Sequence, residues 1–206
     1  MKTPRPDIVE RRPAGSREEI AEILAEQLAR DDLSVIQFGE GPERIIVAGP
    51  QTRHCGDCEF CCSAAGINQL EKPPMVRCRY LAKRPARGCG IYPDRPEACA
   101  KFNCAWLLGN FDNRYRPDKI GAYVAFFLYE GDFYAVVQVD SRRLDKKRLS
   151  EMVAMLHRRV PEVRILYDDK HGTVLRWGEK PLKVLIGERA PGEYEELPLL
   201  ILDEEG

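Results

Sequence analysis

Eight cysteines fall between positions 55 and 104 of this 206-residue chain, as Cys55-x2-Cys58-x2-Cys61-Cys62 followed by Cys78, Cys89, Cys99 and Cys104. Four thiolates can enclose one zinc ion or one iron-sulfur cluster if the chain brings them together, so crowding of this kind points to a bound metal centre. In Cys55-x2-Cys58-x2-Cys61 three thiols follow a tight turn and point inward, the arrangement by which a short loop grips three corners of a cubane while a distant cysteine supplies the fourth. Zinc tetrathiolate ordinarily uses two separated Cys-x2-Cys knuckles, and only one stretch of this chain has that spacing. The pattern therefore leans to [4Fe-4S] over zinc. Adjacent Cys61 and Cys62 must diverge, so one can face the first centre while the other faces a second centre, a core position or a catalytic pocket. Eight thiols are enough for two four-thiolate sites without requiring them. His54 reads as an outer hydrogen-bond donor or an exposed side chain.

Composition sets the context for these thiols. At 44% hydrophobic residues, with two Trp, seven Phe and eight Tyr, the chain can fold without metal except around the cysteines. No run of about 18 apolar residues is present, and the start MKTPRPDIVERRP lacks the apolar core of a secretion signal. The expectation is a cytoplasmic protein with no membrane segment, where thiols serve as ligands rather than as four crowded disulfides. The net charge of -1 hides an uneven distribution: from Met75 to Cys104 seven basic residues face two acids, whereas the stretch from Glu188 onward holds seven acids against Arg189. Arg77, Arg79, Arg84 and Arg87 lie between cysteine motifs and can offset an anionic thiolate centre. A nucleic-acid groove is disfavoured, because aromatic residues suited to base stacking are few there, with Tyr80, Tyr92 and Phe102 only.

The elements that must position the cysteines are legible in outline. The first fifteen residues, with three Pro and one Gly, read as a flexible arm, and residues 16–206 as a single α+β domain with a cysteine-rich metal-binding region at 54–108. Ser16-Arg17-Glu18-Glu19 is a capping box opening a helix with Ile20, Ile23, Leu24 and Leu28 on one face. Leu33 to Phe38 and Arg44 to Ala48 read as short strands. Pro and Gly punctuate the cysteine region and leave room only for short helices near Glu59 and Pro96. Tyr123 to Tyr129 and Phe133 to Val139 flank Glu130-Gly131-Asp132 as the clearest hairpin. Leu149, Met152, Val153 and Leu156 mark an amphipathic helix from about Lys146 to Arg159, and Val163–Tyr167 and Thr173–Trp177 follow as strands. The expected architecture is an antiparallel sheet with a few helices and an irregular cysteine-rich lobe.

The run CGDCEFCC (Cys55 to Cys62), followed by CGIYPDRPEACAKFNC (Cys89 to Cys104), resembles a widespread bacterial cysteine-cluster family of zinc- or iron-chelating domains. Its signature is Cys-x2-Cys-x2-Cys-Cys with a later Cys-x-Ile-Tyr-x2-Arg-Pro-x2-Cys-x2-Phe-x-Cys, and Cys89, Ile91, Tyr92, Arg95, Pro96, Cys99, Phe102 and Cys104 match it. The resemblance covers about Cys55 to Leu108 and implies a metal centre and little else. A related cluster in flagellin lysine methylases slightly favours the cubane and makes protein modification conceivable. Within the motif Pro93 and Pro96 pre-set a turn, Arg95 can donate to cluster sulfurs or loop carbonyls, and Tyr92 and Phe102 can keep water away.

These readings converge on a metal-centre protein holding [4Fe-4S], or second zinc, in a structural or electron-handling capacity, with a protein or redox partner. Two alternatives stand beside it: an enzyme whose cluster meets a protein substrate through an open coordination position, and a zinc-held adaptor presenting Arg and Lys to a partner. The sequence offers no general base, activated nucleophile or Gly-rich cofactor loop that would advance the enzyme.

Overall fold

The computed structural model describes residues 10–12, 36–38, 44–49, 51–83, 87–129, 132–167 and 174–176. Its elements, in chain order, are β1 (Glu10–Arg12), β2 (Ile36–Phe38), β3 (Ile45–Ala48), α1 (Phe60–Ala64), α2 (Glu97–Lys101), α3 (Pro117–Ile120), β4 (Ala122–Tyr129), β5 (Asp132–Val139), α4 (Lys146–His157), β6 (Glu162–Tyr167) and β7 (Val174–Arg176). The helix expected from Ser16, the basic residue Arg84 and the acidic stretch from Glu188 lie outside the described residues. The protein is α+β, as its sequence pattern indicates.

β4 and β5 form the expected hairpin, paired antiparallel from Ala122↔Val139 to Tyr129↔Asp132. The two-residue period puts Ala122, Val124 and Phe126 opposite Val139, Val137 and Ala135 on one face. β6 continues those rows with Val163 beside Ala135 and Ile165 beside Val137. The face is closed by α4, whose Leu149, Met152, Val153 and Leu156 recur at helical spacing and are all buried in the same core. Asp145 starts α4 by accepting a hydrogen bond from the Arg148 amide at 3.1 Å, which satisfies one of the free N–H groups of the first turn.

The sheet departs from the expected antiparallel arrangement. It is mixed, ordered β4-β5-β6-β7, with β6 parallel to β5. The reason is topological: α4 carries the chain back along the sheet before β6 begins, and a strand entered after such a crossover runs in the same direction as its neighbour. A second sheet, β1-β2-β3, is also mixed, with β1 parallel to β2. Three residues of the expected arm, Glu10–Arg12, are thus strand. β3 is fixed to the main body by Asn110, whose side chain accepts from the Ile46 amide and donates to the Ile46 carbonyl, both at 2.6 Å.

The cysteine region lies between β3 and α3 and meets the other face of the sheet at Tyr123. That ring packs edge-on against Phe60 of α1, 6.1 Å between centroids, and against Phe102, 5.3 Å away. It therefore joins the small apolar cluster of Cys58, Phe60 and Ala64 to the main core. Among the described residues no helix is long and apolar enough to cross a membrane.

Candidate metal centre

The lobe is organised by loops. Both expected short helices form, α1 after Glu59 and α2 after Pro96. The Cys58 amide donates to the Cys55 carbonyl at 2.9 Å and closes the first Cys-x2-Cys turn. Asp57, on that turn, pairs with Arg116 at 2.9 Å, and the same guanidinium grips Asp118 in a two-pronged contact of 2.6 and 2.5 Å. Arg116 thereby holds the Asp57 carboxyl below the usual range and anchors the turn to α3.

Further along, the Cys78 amide donates to the Cys62 carbonyl at 2.9 Å, placing Cys78 against the end of α1. The Leu81 amide bonds the Cys78 carbonyl, and Leu81 forms an antiparallel bridge with Cys89. Gly88 presses this loop onto the first turn. Its φ is +90°, and a Cβ there would lie 2.8 Å from the Gly56 carbonyl oxygen.

All eight cysteines are free thiols. Cys58 and Cys104 are buried, at 8% and 6% exposure, and the other six are half-buried. Burial pushes the Cys58 thiol up to about 12 and the Cys104 thiol up to about 11, because a thiolate there would lose its hydration. The vicinal pair behaves differently. Cys61 donates a hydrogen bond to Cys62, which lowers Cys62 to about 7 against the opposing effect of burial, with help from the charges of Lys72 and Arg95. Cys61, the donor, is held well above its ordinary value by that hydrogen bond and by burial. In the metal-free protein, iodoacetamide at neutral pH should therefore alkylate Cys62 ahead of Cys58 and Cys104, since only the thiolate is the nucleophile. Peptide mapping of the adducts checks the order, and an early adduct at Cys104 would contradict it.

The surrounding charges differ from the expected ones. Arg77 faces Glu59 at 3.6 Å and Arg87 faces Asp57 at 3.8 Å, while Arg79 lies over the Tyr80 ring. Two other cations stand among the thiols. Arg95 stacks on Tyr92, 3.9 Å from ring centroid to guanidinium carbon, and its charge reaches Cys55, Cys62 and Cys99. Lys72, 8% exposed, donates to the carbonyls of Ser63, Ala65 and Pro73 beyond and within the end of α1. Burial lowers its ammonium group, and the nearby Cys78, Cys62, Cys61 and Cys99 work against that effect. Lys72 carries no motif signal, since it sits in a Pro-bounded loop outside both cysteine runs. Tyr123 carries only a strand signal in the sequence, whereas in the structure burial and the charges of Cys61 and Cys104 raise its phenol.

The charges of Arg95 and Lys72 reach several of these thiols, and Phe60 and Phe102 pack with Tyr123 beside Cys58. Among the described residues, however, no three His, Cys, Asp or Glu side chains stand together in a geometry that would hold a metal ion. His54 is exposed. The chain matches no family model, no curated protein and no solved structure. The resemblance to the cysteine-cluster family accordingly rests on the motif residues alone.

Proposed function

We propose that this protein binds a thiolate-ligated metal centre, [4Fe-4S] in preference to zinc, in a structural or electron-handling role in the cytoplasm. The observation that carries the reading is the set of eight free cysteines at motif spacing, with the charges of Arg95 and Lys72 reaching several of them. Cys55, Cys58 and Cys61 would take three positions on the centre. Cys104 supplies the fourth, because it shares the main core with Cys55 and lies within electrostatic reach of both Cys55 and Cys58. A bound cubane would accept and release single electrons, whereas zinc would only hold the chain. The residues themselves supply the setting: Tyr123, Phe60 and Phe102 would exclude water on the sheet side, and Arg95 would offset thiolate charge. A redox or other protein partner fits this role better than nucleic acid, because Arg77 and Arg87 face acids of the lobe itself.

Metal and acid-labile sulfide analysis of anaerobically purified protein tests the proposal. Iron and sulfide in equal amounts, with a brown colour, are expected. Zinc without sulfide would replace the cubane and keep the thiolate site; four disulfides and no metal would remove both.

A further inference from the structure

One exposed loop of the cysteine lobe and one stretch of the sequence have no part in the reading above. Val76, at 49% exposure, and Tyr80, at 37%, are two of the three large apolar side chains exposed among the described residues. Arg77, Arg79 and Lys83 are exposed around them. From Lys72 to Arg87 the chain carries six bases and no acid. The backbone presenting these side chains is tied down: the Met75 amide donates to the Ala64 carbonyl at 3.1 Å, the Cys78 amide to the Cys62 carbonyl at 2.9 Å and the Gly90 amide to the Tyr80 carbonyl at 2.8 Å. Met75 is held at φ +60°, a conformation its side chain disfavours, so the loop keeps a constrained shape. Its arginines are only loosely engaged. Arg77 meets Glu59 at 3.6 Å with 59% of its side chain exposed, and Arg79 lies over the Tyr80 ring and reaches the Leu70 carbonyl at 3.4 Å. Contacts this long and this wet contribute little and are readily exchanged for a closer carboxylate.

We propose that residues 188–206 dock on the 76–83 face of the cysteine lobe, their acids on Arg77, Arg79 and Lys83 and their apolar run over Val76 and Tyr80. This stretch, which lies outside the described residues, has seven acids against Arg189. Its apolar run Leu197-Pro198-Leu199-Leu200-Ile201-Leu202 is flanked by Glu193, Glu195 and Glu196 on one side and by Asp203, Glu204 and Glu205 on the other. An apolar centre with an acidic rim is the counterpart of two exposed apolar side chains set among bases. The tether is long enough: eleven residues separate Arg176, the end of β7, from Glu188, an extended reach of roughly 40 Å against about 30 Å for the width of a small domain. A segment joined to its target in this way acts at high effective concentration, so individually weak ion pairs suffice. Docked there, it covers the loop that carries Cys78, and an acidic partner seeking the same face would have to displace it. No metal enters the contact, and the inference stands whether or not the lobe binds one.

A water-soluble carbodiimide tests the contact in the full-length protein, because it joins a lysine amine to a carboxylate already touching it and takes up the water released. Glu97 and Lys101, paired at 2.5 Å, serve as the internal positive control. Peptide mapping at low salt should find an amide between Lys83 and an acid of residues 188–206. Its yield should fall roughly tenfold in R77E/R79E, in E195K/E196K, and in about 1 M salt, where the Debye length is about 3 Å. The combined variant R77E/R79E/E195K/E196K should restore a link, now between positions 77–79 and 195–196, which a damaged fold could not produce. E195K/E196K decides the matter if R77E/R79E misfolds, since it leaves the lobe unaltered. Mixing isotopically labelled and unlabelled chains identifies the occupant: links within one chain support the proposal, and links only between chains would overturn it in favour of a second copy. A control link with no Lys83 link, or a Lys83 link unchanged by both charge reversals, would overturn it outright and leave the face to a separate partner.

Discussion

With the proposed metal centre in place, Gly88→Ala is expected to speed loss of metal from the lobe by roughly tenfold to a hundredfold while leaving the sheet folded. Two effects combine at this position. The backbone has φ +90°, which costs a residue with a side chain about 1–3 kcal/mol, and the added Cβ would stand 2.8 Å from the Gly56 carbonyl oxygen. That neighbour is backbone, so relief requires Gly88 and the residues bonded to it to draw away from the Cys55–Cys58 turn. Cys89 is the next residue and must move with it. The Gly88 amide also donates to Glu59 at 3.1 Å, and its carbonyl accepts from Ala82 at 2.9 Å, so the displacement reaches both sides of the loop. Since each 1.4 kcal/mol is a factor of ten, strain of this size felt mainly in the lobe gives the stated change. Release kinetics with a chelator, alongside urea unfolding followed by far-ultraviolet circular dichroism, measure the two parts separately. Unchanged release would show that the loop contact does not position a ligand.

Gly121→Ala should do the reverse and weaken the body. Gly121 ends α3 at φ +72°, and a Cβ there would lie 2.5 Å from the Arg143 carbonyl oxygen and 2.9 Å from the Leu144 Cα. The junction is crowded because the Asp140 amide bonds the Gly121 carbonyl and the Asp145 amide bonds the Ile120 carbonyl, which clamps the entry to α4 onto the start of β4. Left-handed strain and the backbone clash together should cost roughly 3 kcal/mol, read as a lower urea midpoint at an unchanged slope. A loss below about 0.5 kcal/mol, the range of an ordinary surface change, would mean that the clamp relaxes easily.

Much of this body is legible in the sequence because its signals are local. The hairpin at 122–139 has two β-rich runs on either side of Glu130-Gly131, and α4 has a four-residue apolar stripe. Both short helices in the cysteine lobe start where Glu59 and Pro96 indicate. The direction of β6 is not local: it follows from how α4 crosses the sheet, and two hairpin-like pairs on either side of a helix read equally well as an antiparallel meander. The parallel pairing of β1 with β2 joins residues on either side of a long intervening stretch, and three residues of strand carry little pattern of their own. In the lobe, spacing identifies which cysteines are ligand candidates but not which side of α1 each one faces. The partners of the cations are not local either. Arg77 and Arg87 are near the thiols in sequence but meet Glu59 and Asp57 in space, whereas Lys72 reaches Cys62 and Cys78 only because a loop folds back under the end of α1.

The position of Tyr123 bears on how the protein is made. All eight cysteines precede it in the chain, and the strand that completes its sheet beside β5 does not begin until Glu162. At a synthesis rate of roughly 5–20 residues per second, the ribosome releases every thiol on the order of seconds before the surface that shields Cys58 and Cys104 exists. During that interval the sulfurs that end up most enclosed are as open to oxidants and stray metal as the rest. A released fragment that ends between Cys104 and β4 should accordingly show no difference in thiol accessibility between Cys104 and Cys78, and that difference should arise only in a chain that includes the sheet.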